Sequence, residues 1–263
     1  MTESDYTISE NSLWAANPPP GMAKGLVPRD FQSFPVGCMA EAPKFELPLL
    51  SVQEIKDRIA EQQAKKNSLR QRFLASGQKV LDQNSQGYCW AYSTTTATMM
   101  ARLKEGQPPK RLSGHATGCR VKGYRDQGGW NGESLKFIAA NGSPTVEFWK
   151  EKSMSRDNDT PEMQANSMLH RIIEWTDLSD ARDECRHQLA TLVLGYDCAC
   201  PVDFNYWSHS VCCVEIASWD PWEIWIANSW ASSWGDQGFG KLVGGKADPN
   251  GSCAPRVTRF SDV

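Results

Sequence analysis

The chain has little that would hold nucleic acid or lipid. Its 263 residues carry 28 Lys and Arg against 31 Asp and Glu, a formal net charge of −3, so no basic field faces a phosphate backbone. No run approaches the roughly 18 apolar residues of a membrane span. Residues 1–5, Met-Thr-Glu-Ser-Asp, have neither the basic n-region nor the apolar h-region of an export signal, so a cytoplasmic location is expected. Nine cysteines, an odd number in a chain without such a signal, are expected as free thiols rather than a disulfide framework. Cys198/Cys200 and Cys212/Cys213 lack the Cys-x2–4-Cys spacing of zinc sites, and strand neighbours 212 and 213 point to opposite faces. No metal and no cofactor is expected. Histidine is scarce, with four residues, and there is no internal repeat.

What is present has a direction. Residues 1–50 hold Pro18, Pro19, Pro20, Pro28, Pro35, Pro43 and Pro48 among isolated aromatics (Trp14, Phe31, Phe34, Phe45), which predicts an extended arm. Such an arm is ordered only if its own domain or a partner chain holds it. Residues 51–78 form a helical extension: one polar helix over 51–74, capped at Ser51 with Glu54 three residues on and stopped by Gly77. The uncharged run 91–100 predicts a buried helix beginning at Cys89 and ending at Gly106. Residues 111–129 read as irregular. Asn131 is expected to cap a short helix over 135–140, and Thr160 and Ser179 to open helices ending near Trp175 and Leu189. Strands are expected at 191–194, 211–216, 222–227 and 239–243. Helices first and strands last imply an α+β fold in two halves.

Chemistry concentrates at residues 83–93. A thiol at a helix N-terminus meets unpaired backbone N–H groups and the macrodipole, so the pKa of Cys89 is expected to fall and its thiolate to be the nucleophile. His115 lies in a glycine-rich loop and His170 and His187 on charged helices, so solvation or local bonding accounts for them. His209 differs, standing at the mouth of an apolar strand. Asn228 ends another strand beside Trp230 and Trp234, and a buried amide there needs a partner. Cys89, His209 and Asn228 supply a nucleophile, a general base and an orienter. Gln83, on the approach loop, supplies an oxyanion donor.

The motifs Gln83-x5-Cys89-Trp-Ala-Tyr-Ser, His209-Ser-Val and Asn228-Ser-Trp230-x3-Trp234-Gly-x2-Gly-Phe resemble those of papain-like cysteine peptidases. His209 and Asn228 follow Cys89 by 120 (209 − 89) and 139 (228 − 89) residues, near that group's roughly 130–150. The resemblance implies a papain-like domain over 79–263, with a helical half at about 79–190 and a β-barrel-like half at about 191–263. It assigns the same roles to Cys89, His209, Asn228 and Gln83, and makes Trp230 the shield of the His–Asn bond. Gly128 and Gly129 become the backbone partner of an extended peptide. Trp130, Asn131 and Ser210 fall in the main side-chain subsite, where a tryptophan wall with polar neighbours implies a medium-sized residue.

This chain departs from the family pattern in places. Gln86 and Asp126 stand where the family has a disulfide, so a Gln86–Asp126 hydrogen bond, packing or the arm must brace the nucleophile loop. The 88 residues before Cys89 are short for the family's inhibitory prosegment plus a mature N-terminus. The expected partner is a peptide or protein substrate. Two alternatives stand beside hydrolysis of peptides: a papain-like structural component of a larger assembly such as a viral particle, and amide hydrolysis or acyl transfer on a non-peptide substrate.

Overall fold

The computed structural model describes residues 6–12, 17–39 and 42–256. Residues 1–5, Trp14 of the arm, and residues 257–263 of the expected catalytic domain lie outside the described residues. Among the described residues no helix is long and apolar enough to cross a membrane.

The centre is helix α3 (Cys89–Lys104), after α1 (Val52–Lys65) and α2 (Leu69–Ala75). Every α3 residue from Cys89 to Ala101 is buried. The helix tolerates this because it carries no charge there and satisfies its own hydroxyls: Thr95 and Thr98 donate to the Ala91 and Thr94 carbonyls at 2.7 and 2.9 Å. It packs against α4 (Gly114–Val121), α5 (Asn131–Asn141) and strands β3 (Cys200–Phe204), β4 (His209–Ser218) and β7 (Gly251–Arg256). The sheet has seven strands in the order β1-β6-β5-β4-β3-β7-β2, with β1 at Thr7–Ile8, β2 at Glu174–Asp177, β5 at Glu223–Ala227 and β6 at Phe239–Val243. All pairs are antiparallel except β1 with β6.

Several sequence expectations require correction. The helix expected over 51–74 is two helices, because Lys66 turns left-handed (φ 50°) and Ser68 starts a second capping box with Gln71. The stretch expected to be irregular contains α4. Its Gly114 and Gly118 let the helix press on two rings, since a Cβ at either would come within 2.8 Å of Tyr92 or 2.6 Å of Tyr88. Asn131 is the first residue of α5 and Trp130 its cap. Helix α6 (Pro161–Met168) stops before Trp175, which lies in β2 against β7. Helix α7 (Arg182–Gly195) absorbs residues 191–194, because Leu189, Leu192 and Val193 share a buried face. There packing outweighs β propensity. Of the histidines expected to be solvated or locally bonded, His115 and His170 are buried, and His115 and His187 are bonded, to Tyr92 and Gln86 and to the Leu50 carbonyl.

The eight buried cysteines are all free and line the core as small apolar groups. Cys212 and Cys213 are both enclosed because α3 and α7 each pack against β4. The helical extension belongs to the same body. Ile55 and Phe73 are fully buried, and Phe73 meets Phe239 edge-on at 6.3 Å.

Candidate active site

Three element ends converge. β4 begins with His209, β5 delivers Asn228 just beyond its last residue, and α3 begins with Cys89. The β4–β5 register sets Cys212 opposite Ala227, so the chain leaving β5 runs alongside His209. His209 Nε2 and Asn228 Oδ1 are 2.8 Å apart. With Nε2–H donating to the amide oxygen, Nδ1 is left as the base, and it is buried with no hydrogen-bond partner among the described residues. The imidazole stacks on Trp230 at 4.5 Å and meets Trp207 edge-on at 4.8 Å, which fixes its plane and excludes water. The Ser229 N–H also donates to Asn228 Oδ1 at 2.8 Å, holding the orienter.

Cys89 is fully buried. Burial pushes its thiol up to about 12, opposed by backbone N–H groups of Ser210, Gly25 and Trp90, with Asp203 adding to the rise. The expected lowering by the helix N-terminus is therefore overturned: desolvation outweighs the dipole here. Burial likewise holds His209 down to about 3, against the raising effect of its bond to Asn228. Both shifts favour the neutral forms, thiol and imidazole, while the arm is docked.

The burying segment is the arm. The Ala23 N–H donates to the Asn84 carbonyl, and the Ala23 carbonyl accepts from Gln83 Nε2 at 3.0 Å and from Trp230 Nε1 at 2.9 Å. The Gln83 amide, whose Oε1 accepts from Ser229 Oγ, thus already holds a carbonyl oxygen. Leu26 pairs with Gly129 in parallel: the Gly129 N–H donates to the Gly25 carbonyl at 3.0 Å, and the Val27 N–H to the Gly129 carbonyl at 2.9 Å. A Cβ at Gly128 would approach the Gly25 carbonyl oxygen to 2.6 Å, so the bare backbone is what admits the arm.

The expected Gln86–Asp126 hydrogen bond is absent. Asp126 instead accepts from the Gly87 N–H at 2.7 Å, while Gln86 Oε1 faces His115 Nε2 at 3.2 Å. His115 in turn bonds the Tyr92 hydroxyl. These two contacts brace the nucleophile loop together with the arm, which bonds it at Asn84 and Gln83.

Beside Gly129, Asn131 Oδ1 accepts from Ser210 Oγ and Ser93 Oγ at 2.8 and 3.0 Å, and its Nδ2 donates to Asp203 at 2.7 Å. Asp203 is enclosed, and desolvation lifts its carboxyl to about 7 despite hydrogen bonds from Ser210 and Asn131. Asn131 and Ser210 therefore form a polar floor rather than an open wall. Trp130 faces the arm, with the Arg29 guanidinium 4.7 Å from its ring. Sequence reasoning missed Trp207, Ser229, Asp203 and arm residues 23–29. Trp207 and Ser229 flank the motifs and were findable there. Asp203 lies in an unread strand, and nothing in the arm marks residues 23–29 as cleft-binding.

Comparison with known proteins fits this geometry. No family model matches the chain. Cathepsin L 2 of Paramecium tetraurelia is 26% identical over 193 residues, covering 66% of this chain and 58% of its own length. Zingipain-2 of Zingiber officinale is 23% identical over 200 residues, covering 69% of this chain and 88% of the relative. The chain thus spans less than two thirds of the first of these. Among solved structures, the cysteine protease xylellain from Xylella fastidiosa superposes with a TM-score of 0.63 at 15% identity, covering 91% of this chain and 97% of that one. That span extends upstream of the three motifs. The fold is papain-like, and the sequence relatives are thiol proteases. The expected alternative of a virion component draws no support from them.

Proposed function

We propose that this chain, whose fold and relatives are those of papain-like cysteine peptidases, hydrolyses peptide bonds and is held latent here by its own arm. The observation that carries the reading is the His209–Asn228 hydrogen bond at 2.8 Å, which leaves Nδ1 of the same ring as an unpaired base beside the nucleophile helix. When the arm withdraws and water reaches the cleft, the desolvation that keeps both groups neutral is relieved. His209 Nδ1 then takes the Cys89 proton, and the thiolate attacks the scissile carbonyl carbon. The oxyanion that forms is stabilised by the Gln83 side-chain amide, released from Ala23, and by the Cys89 backbone N–H. The protonated His209 gives its proton to the leaving amine as the carbon–nitrogen bond breaks, leaving a thioester on Cys89. Water, deprotonated by His209, attacks the thioester; the acid leaves and the thiol is restored.

The Cys89 sulfur meets the Gly25 backbone N–H, and the arm pairs with Gly129 in parallel. In this position it occupies the reacting groups.

A peptide-library digest tests this, using the full chain with Gly25→Ala to loosen the arm and the same chain with Cys89→Ala as control. Cleavage products that appear only with Cys89 intact are expected. Identical digests from the two chains would sink the reading.

A further inference from the structure

We propose that the recess formed by Trp130, Asp177 and Asp203 is a subsite for the cationic side chain of a peptide substrate, arginine above all, and that Arg29 fills it in the closed chain. This deepens the peptidase reading and rests on it for the kinetic half of its test.

The present occupant shows what the recess accepts. Arg29 meets Asp177 in two parallel hydrogen bonds of 2.8 and 2.9 Å, with both side chains almost wholly enclosed. Its guanidinium also lies 4.7 Å from the Trp130 ring. Two further guanidinium N–H groups donate to the Phe34 and Pro35 carbonyls, which belong to the arm and leave with it. What the folded domain itself supplies is an aromatic face, the Asp177 carboxylate and the Asp203 carboxyl. Arg29, Trp130, Asp177 and Asp203 line one cavity of about 10 Å³, so the recess is full while the arm is docked.

Once vacated, the same walls select by charge. Asp177 is fixed by its strand, paired in register with Cys253 on β7, and Asp203 is fixed by Asn131. Asp203 cannot swing out to water without breaking its bond to Asn131, and the strand holds the Asp177 backbone beside it. A buried carboxylate left without a counter-ion is costly, and an apolar side chain in the recess would leave it so. The recess is also in the right place. Trp130 follows Gly129, the backbone partner of whatever strand lies in the cleft. A peptide paired there brings a side chain to the tryptophan directly. The medium-sized residue expected from a tryptophan wall is therefore replaced by a cationic one.

The test uses full chains carrying Gly25→Ala to loosen the arm together with Arg29→Ala or Arg29→Met, the second keeping the apolar stem in case the first fails to fold. Fluorogenic peptide amides with arginine, citrulline or leucine at the variable position are compared by kcat/KM. Binding of blocked arginine and citrulline amides is followed by calorimetry. Arginine is expected to exceed citrulline, its neutral isostere, at least about tenfold in both measurements, and adding Asp177→Asn should collapse that ratio. Hydrolysis of all three peptides at equal rates would overturn the subsite and leave the peptidase standing. If no peptide is cleaved, the peptidase reading fails; the binding ratio alone then decides the subsite, and a ratio near one overturns it.

Discussion

Gly25 and Gly87 meet with no room for a side chain: a Cβ built on Gly25 would lie 2.0 Å from the Gly87 carbonyl oxygen. Here the arm and the nucleophile loop touch backbone to backbone beside Cys89. Gly25→Ala should force the arm out of the cleft. Alkylation of Cys89 by iodoacetamide, followed by peptide mapping, is expected to speed up at least tenfold relative to the unaltered chain. An unchanged rate would show that the arm does not control access.

In the proposed mechanism Asn228 acts on the reaction only through His209, to which it is bonded at 2.8 Å. In the Gly25→Ala chain, Asn228→Ala should lower kcat on the order of 10²-fold, at the low end of what positioned acid–base catalysis contributes. KM should change far less. Loss of binding without loss of kcat would assign Asn228 to substrate contact instead.

Gln83 exchanges one carbonyl for another, Ala23 in the closed chain and the substrate oxyanion in the open one. Gln83→Ala is therefore expected to have two effects. Cys89 should alkylate faster in the otherwise unaltered chain because the arm loses a contact. Turnover in the Gly25→Ala chain should fall by about 10²–10³-fold, the usual effect of removing one oxyanion donor.

Asp203 gives a pH signature. Burial raises its carboxyl from the ordinary 3.8 to about 7, so between those values the native chain keeps a proton that the unfolded chain has released. Stability contributed by this group is thus full at acid pH and lost as pH rises through the window. Urea unfolding of the unaltered chain and of Asp203→Asn should diverge with pH, the difference shifting in favour of the variant between pH 4 and 7, on the order of that window.

The helical extension is part of the core rather than a detachable preface. Phe73→Ala should cost about 3–5 kcal/mol in urea unfolding, as for other large buried aromatics. Val52→Ala, at a position 41% exposed, should stay within about 0.5 kcal/mol.

The candidate trio Cys89, His209 and Asn228 could be read from the sequence because each member announces itself locally: a thiol opening an uncharged helix, a histidine opening an apolar strand, an amide closing another. Strands β4, β5 and β6 were legible for the same reason, through apolar runs bounded by turns. What failed depended on distant partners. Residues 191–194 look like strand until α7 is seen to bury them, and Gly114 and Gly118 look like a loop until the rings of Tyr88 and Tyr92 are set against them. Strands β3 and β7 contain a proline each and lack strong alternation, so only pairing reveals them. The thiol's titration was misjudged because helix position is local, whereas burial comes from a segment more than sixty residues upstream.

The parallel pairing of Leu26 with Gly129 has a kinetic consequence. Because the arm belongs to the same chain, after each opening it can return. A tethered competitor of this kind acts at an effective concentration on the order of millimolar, whatever the dilution of the protein. The apparent KM of the full chain will then equal the intrinsic value divided by the fraction of molecules open. Measured affinity would track the arm's departure more closely than the fit of any substrate.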